Sequence, residues 1–282
     1  ISDNVETVSK TLKLFVKHFK RVFYCPGNHD LWVKIEQFQI NSFQKFHKLQ
    51  ELCTSIGVAT RAEIIEDVQI IPIYAWYSVK FDTEDTVVKW NELKMQWNDF
   101  HFCKWLPDVQ QHGNQQQQQV EEPKYIVNYL RQRPQEEIEQ EQHEEIGIHF
   151  NNITAKIIDE AIEQQKQWHA AKQQQQQQQH KEHDSKLTVV SFSHFVPRLD
   201  VLPARKYLLI QTLPKIAGNA LIEQQIRRAN VHVHVFGHTH IDCDTMRDNV
   251  RYVQRAFGYP KERKGWKAKH TPVPFVPSLL NK

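Results

Sequence analysis

Three short segments carry side chains able to do metal and acid–base chemistry: Gly27-Asn28-His29-Asp30, Ser193-His194 and Gly237-His238-Thr239-His240. Each directly follows an apolar run that reads as a buried strand. In the last segment two histidines stand two apart, and on an extended backbone such residues point the same way. Imidazole nitrogen suits zinc, iron, manganese and related ions. Gly237 lets the chain turn sharply off its strand. An H-x-H pair alone is common; His232 and His234 repeat the spacing one step earlier and are read as strand residues with satisfied ring nitrogens. In the first segment Asn28 offers an uncharged amide oxygen to a cation. His29 can donate a proton near neutral pH, and Asp30 can fix the loop, although Pro-Gly-Asn is also ordinary turn chemistry. Together, Asn28, His194 and His238 would supply three donors to one ion, and His240 a donor to a second. Two ions about 3.5–4 Å apart are a recurrent device for phosphoryl displacement, polarising the phosphoryl oxygens and acidifying water. Such a pair calls for carboxylates, and no aspartate stands at an obvious strand end. Arg198, which follows Pro197, is a weaker substrate-binding candidate; a surface residue is its plainer reading.

The elements that must position these loops are legible in outline. Val5, Val8, Leu12, Phe15, Val16 and Phe19 recur at helical spacing over 5–19, with Asp3 or Asn4 as N-cap. A short strand is expected over 21–25, stopped by Pro26-Gly27, then a helix over 42–56 ended by Gly57. Residues 62–76 read as two strands around Glu66-Asp67. After the middle of the chain come a strand at 187–195, a helix near 219–229, a strand at 231–236, and a hairpin of 241–246 and 250–254 turning at Asp248-Asn249. Strands mixed with helices, each strand ending in a polar loop, indicate an α/β domain whose ligands gather at strand ends. Trp76, Tyr77, Trp90, Trp97 and Trp105 are read as core packing.

The middle differs in kind. Gln115 to Gln119 and Gln173 to Gln179 are polyglutamine tracts flanking a Glu/Gln-rich stretch. Such composition buries little apolar surface. Residues 110–186 are therefore read as a largely flexible insertion carrying one amphipathic helix at 148–170, through Ile148, Ile153, Ile157, Ile158, Ala161 and Trp168.

With 282 residues, 40% hydrophobic, the chain is long enough for one large domain. A formal charge of +3 is too mild to indicate a specific nucleic-acid partner. The basic run Lys261, Arg263, Lys264, Lys267 and Lys269 reads as a solvated tail. No apolar run of membrane-spanning length occurs, so no membrane partner is expected. The cysteines Cys25, Cys53, Cys103 and Cys243 form no C-x-x-C pair, which fits a reduced, cytoplasmic setting.

In order and context, the three chemical segments resemble the calcineurin-like metallophosphoesterase family. That pattern runs D-x-H, G-D-x-x-D, G-N-H-D/E, a strand-terminal His, and G-H-x-H. The last three stand here in that order, and Ile1-Ser2-Asp3 matches the end of a G-D-I-S-D segment. The resemblance implies a four-layer α/β/β/α fold, two packed mixed sheets flanked by helices, formed by 1–109 and 187–282. It implies Asn28, His194 and His238 as ligands of one metal and His240 as a ligand of another. It implies His29 as the histidine that stabilises the phosphoryl oxygens and protonates the leaving group, Asp3 as the acid that orients it, and Asp30 as structural. The D-x-H and the bridging Asp are absent, the latter falling just before Ile1, so a chain cut off ahead of its first strand is expected. The implied function is metal-dependent hydrolysis of a phosphate ester, with two divalent ions (Mn, Fe, Zn or similar) as cofactors and a phosphorylated compound as substrate. The alternative is a non-catalytic binding module on the same fold. A metallo-β-lactamase-type hydrolase is disfavoured because its H-x-H-x-D-H cluster is missing.

Overall fold

The computed structural model describes residues 1–36, 39–84, 88–105, 134–179, 186–259 and 262. Its frame is a six-stranded mixed sheet flanked by helices. The strands are β1 (Glu63–Ile65), β2 (Val68–Pro72), β3 (Thr188–Phe192), β4 (Val233–Val235), β5 (Cys243–Arg247) and β6 (Val250–Gln254), in the order β1-β2-β3-β4-β6-β5. The four inner strands are parallel, and both edge strands pair antiparallel. The two edge hairpins follow from turn chemistry: Glu66, Asp248 and Asn249 take positive φ, the last two in succession as a tight hairpin turn requires. The inner strands are rich in Val and Ile, as strands covered on both faces demand, with the buried polar residues Gln69, Ser191, His234 and Gln254 among them.

Helix α1 (Val5–His18) starts where Asn4 Oδ1 accepts from the N–H groups of Glu6 and Thr7, and α2 (Ser42–Ser55) starts with a reciprocal Asn41/Gln44 capping box. The core takes Val8 and Leu12 from α1, with Val5 packed against it. Phe15, Val16 and Phe19, expected on the same apolar face, are exposed, and Phe15 meets Phe19 edge to face at 6.2 Å. The 21–25 run forms a single parallel bridge, Phe23 to Ala59, rather than a strand of the sheet.

After the short helices α3 (Trp90–Gln96) and α4 (Asp99–Phe102) comes α5 (Gln135–Gln179), far longer than the 148–170 helix the sequence suggests. Ile146, Phe150, Ile157, Ile158 and Ala161 from α5 enter the core. Ile148 falls off that stripe and is 50% exposed. Thr154 Oγ accepts from Tyr74 N–H at 2.9 Å and donates to Tyr74 O at 2.8 Å, tying the helix to the chain leaving β2. Gln165 Nε2 donates to Gln69 Oε1 at 2.7 Å, while Gln69 Nε2 donates to Ala161 O, so buried amides satisfy one another where α5 crosses β2. The 173–179 glutamines continue the helix; the 115–119 tract, with all of 106–133 and 180–185, lies outside the described residues. Truncating Phe150 to alanine is expected to cost about 3–5 kcal/mol, read as a lower urea midpoint with an unchanged slope.

Short helices α6 (Pro214–Ala217) and α7 (Ala220–Arg228) complete the frame. Among the described residues no helix is long and apolar enough to cross a membrane.

Candidate metal centre

Strands β3 and β4 are parallel neighbours, so their C-terminal ends lie side by side, with Phe192 opposite Val235. The chains leaving them stay together: Ser193 N–H donates to Val235 O and Gly237 N–H to His194 O, both at 3.0 Å. His194 and His238 are therefore placed by the sheet itself. Asn28 arrives from the segment bridged at Phe23, just ahead of a 3-10 turn at His29–Leu31. Asp30 fixes that turn: its carboxylate accepts from Gly27 N–H at 2.9 Å, Ser2 N–H at 2.8 Å and the Ile1 amino group at 2.7 Å.

His194 Nε2 lies 2.8 Å from Asn28 Oδ1 and 3.2 Å from His238 Nδ1. His238 Nε2 lies 3.0 Å from Ile216 O. A carbonyl can only accept, so Nε2 carries the proton and the Nδ1 lone pair faces His194. Asn28 Nδ2 donates to Asp99 Oδ1 at 2.8 Å, which turns Oδ1 toward His194. Oxygen and nitrogen ligands held about 2.0–2.2 Å from one ion stand roughly 3 Å apart, so the two measured separations fit a shared divalent cation. Burial lowers the His238 pKa to about 3. Burial, reinforced by His238, holds His194 well below the usual histidine range. Both rings are thus neutral at pH 7, the form that ligates a metal.

Gly27 is required here by close approach. A Cβ on it would stand 2.7 Å from the His194 ring. Gly27→Ala is expected to push His194 off Asn28 and to weaken divalent-metal binding by roughly 10–100-fold, the range for disturbing a ligand's support; titration calorimetry with Mn²⁺ checks this.

His240 does not join the three donors. His238 and His240 both take left-handed backbone conformations, with φ of 73° and 55°. The extended geometry that would point both rings one way is absent, and they find separate partners. His240 Nδ1 lies 3.0 Å from Glu262 Oε2, its ring 4.9 Å from that of Tyr259. Among the described residues no group of three or more His, Cys, Asp or Glu side chains is arranged to hold a metal. The donors present fit one ion, through two imidazoles and an amide.

His29 stacks on Trp32, with ring centres 3.8 Å apart and planes 24° from parallel, and its Nε2 lies 3.2 Å from the Tyr259 hydroxyl. Burial lowers its pKa to about 4. Asp3 pairs with Lys34 at 2.9 Å instead of with the His29 ring. Arg198 is engaged by Asp200 at 2.6 Å, Asp248 at 2.8 Å and Glu223 at 3.4 Å, over the ring of Tyr252. His234 is buried between the hydroxyls of Ser191 and Ser193, at 2.8 and 3.0 Å, and His232 Nδ1 accepts from Val189 N–H. Sequence reasoning missed Asp99, Tyr259 and Glu262. Asp99 opens a four-residue helix in an aromatic-rich stretch, Glu262 lies within the run read as a solvated tail and Tyr259 just ahead of it, so none of these places carries a motif.

No family model matches the chain, and no curated protein matches it. Among solved structures it is similar to a phosphopantetheinyl hydrolase from Mycobacterium tuberculosis, at TM-score 0.60 and 17% identity, over 98% of this chain and 83% of that one. A second solved structure aligns at TM-score 0.36 and 13% identity over 90% of this chain and 66% of that one, too distantly to support an argument. The likeness to the hydrolase is one of fold.

Proposed function

We propose that the chain is a metal-dependent hydrolase of phosphate esters whose first ion is held by Asn28, His194 and His238. The observation that carries this reading is the convergence of their donor atoms, 2.8 and 3.2 Å from His194 Nε2, at the ends of two parallel strands and one loop. A divalent ion in that position supplies Lewis-acid polarisation of a phosphoryl group and acidifies water. The chain's own part is to orient and to move a proton. His29, on its Trp32 platform, protonates the leaving oxygen. Its lowered pKa in the free protein rises once a phosphate anion lies against it, since an opposite charge favours the protonated ring. The substrate takes the place at Nε2 that the Tyr259 hydroxyl holds. A second ion would take His240 in exchange for Glu262. In this reading the Phe23–Ala59 bridge belongs to a second sheet of a four-layer fold, and the similarity in fold to a hydrolase agrees with the assignment.

The test is hydrolysis of mono- and bis-(4-nitrophenyl) phosphate by protein loaded with Mn²⁺ or Zn²⁺. Turnover is expected that vanishes with chelator and returns with metal. Metal bound without turnover would favour the non-catalytic binding module, the reading that the Glu262 contact on His240 supports. Absence of any bound metal would defeat the metal-dependent hydrolase and leave the binding module standing.

A further inference from the structure

Behind the three donors sits a carboxylate that belongs to none of the sequence motifs. Asp99 is buried at the start of α4, and among the described residues no lysine or arginine bridges to it. One oxygen, Oδ1, accepts both the Asn28 Nδ2–H at 2.8 Å and the Trp32 Nε1–H at 2.6 Å. Burying a carboxylate without a cationic partner is costly, and nothing in the packing of a four-residue helix requires one. What it does locally is specific. The two ends of an asparagine amide are nearly the same shape but opposite in function: the oxygen can ligate a cation and the NH₂ repels one. A carboxylate only accepts, so it can hold only the NH₂ end. The same oxygen anchors the indole on which His29 stacks at 3.8 Å.

We propose that Asp99 is a positioning residue: it commits Asn28 Oδ1 to the cation and fixes Trp32 beneath His29, so that one buried oxygen aligns the metal ligand and the proton donor. The assignment rests on the proposed metal-dependent reading. It also places an anion one hydrogen bond from the ion, which answers part of the charge that two imidazoles and an amide leave uncompensated. Outer carboxylates of this kind orient ligands and raise their basicity.

Two variants separate orientation from charge. Asp99→Asn keeps an acceptor oxygen for both donors and loses the charge; Asp99→Leu keeps the approximate volume and loses both. In metal-free protein the Asn28 side-chain NH₂ resonances are expected to be shifted and slow to exchange in the parent chain and in Asp99→Asn, and to collapse to solvent-exposed values in Asp99→Leu. By calorimetry, Mn²⁺ affinity is expected to fall about 10-fold in Asp99→Asn and about 100-fold in Asp99→Leu. Unchanged Asn28 resonances and unchanged affinity in a cooperatively folded Asp99→Leu protein would overturn the proposal. Should that variant not fold, Asp99→Asn decides: retained Asn28 signals with weakened Mn²⁺ binding support it, and unchanged binding overturns it. A parent chain that binds no Mn²⁺ would sink the metal-dependent reading, while the Asn28 resonances of the metal-free protein would still judge the orienting role.

Discussion

Replacing His194 with alanine is expected to abolish divalent-metal binding while the sheet stays intact. His194 lies within reach of both other donors, at 2.8 Å from Asn28 Oδ1 and 3.2 Å from His238 Nδ1. Without it only the Asn28 amide and the His238 imidazole remain of the three donors. The loss of affinity should exceed the roughly 10–100-fold that follows from disturbing an outer-shell partner, and hydrolysis should fall with it. Circular dichroism should be unchanged, because backbone contacts hold this corner independently of the ring: Ser193 N–H to Val235 O and Gly237 N–H to His194 O both survive the substitution. Calorimetry with Mn²⁺ on the parent and variant chains measures the difference.

Replacing His29 with alanine should do the opposite: metal retained, turnover lost. The imidazole touches none of the three donors; its contacts are Trp32 on one face and Tyr259 at Nε2. Removing a general acid typically lowers the rate by about 10²–10⁴-fold. The loss should be smaller for an ester with a good leaving group such as 4-nitrophenolate, which needs little protonation, than for an alkyl ester. Metal content measured beside turnover on both substrates makes the comparison. Loss of metal with unchanged turnover per bound ion would show that the role assigned to His29 is wrong.

Much of this architecture is readable from residue order because it is set locally. Asn4 and Asn41 cap their helices through their own side chains, and Asp248-Asn249 turn the hairpin by their own backbone preference. The ends of β3 and β4 are legible because Val/Phe runs stop at polar residues, and a parallel pairing then brings His194 and His238 together. What escapes is what depends on distant partners. The apolar spacing of α1 continues to Phe19, but spacing cannot reveal where a neighbouring layer ends, and the core stops at Leu12. The stripe of α5 through Ile157, Ile158 and Ala161 is legible from its spacing, but the Glu/Gln-rich composition hides its start at Ile146 and the length of the helix, which packs on β2 and α7. Gly237-His238-Thr239-His240 gives no local warning that both histidines take positive φ. Asp99 reaches Asn28 across 71 residues and carries no motif of its own.

The central claim is that three donors from distant parts of the chain face one cation. Anomalous diffraction from crystals grown with Mn²⁺ or Zn²⁺ tests it most directly. The expected result is a peak at bonding distance, about 2.0–2.2 Å, from Asn28 Oδ1, His194 Nε2 and His238 Nδ1 together. A peak elsewhere, with the His194 ring still hydrogen-bonded to Asn28 Oδ1, would contradict it.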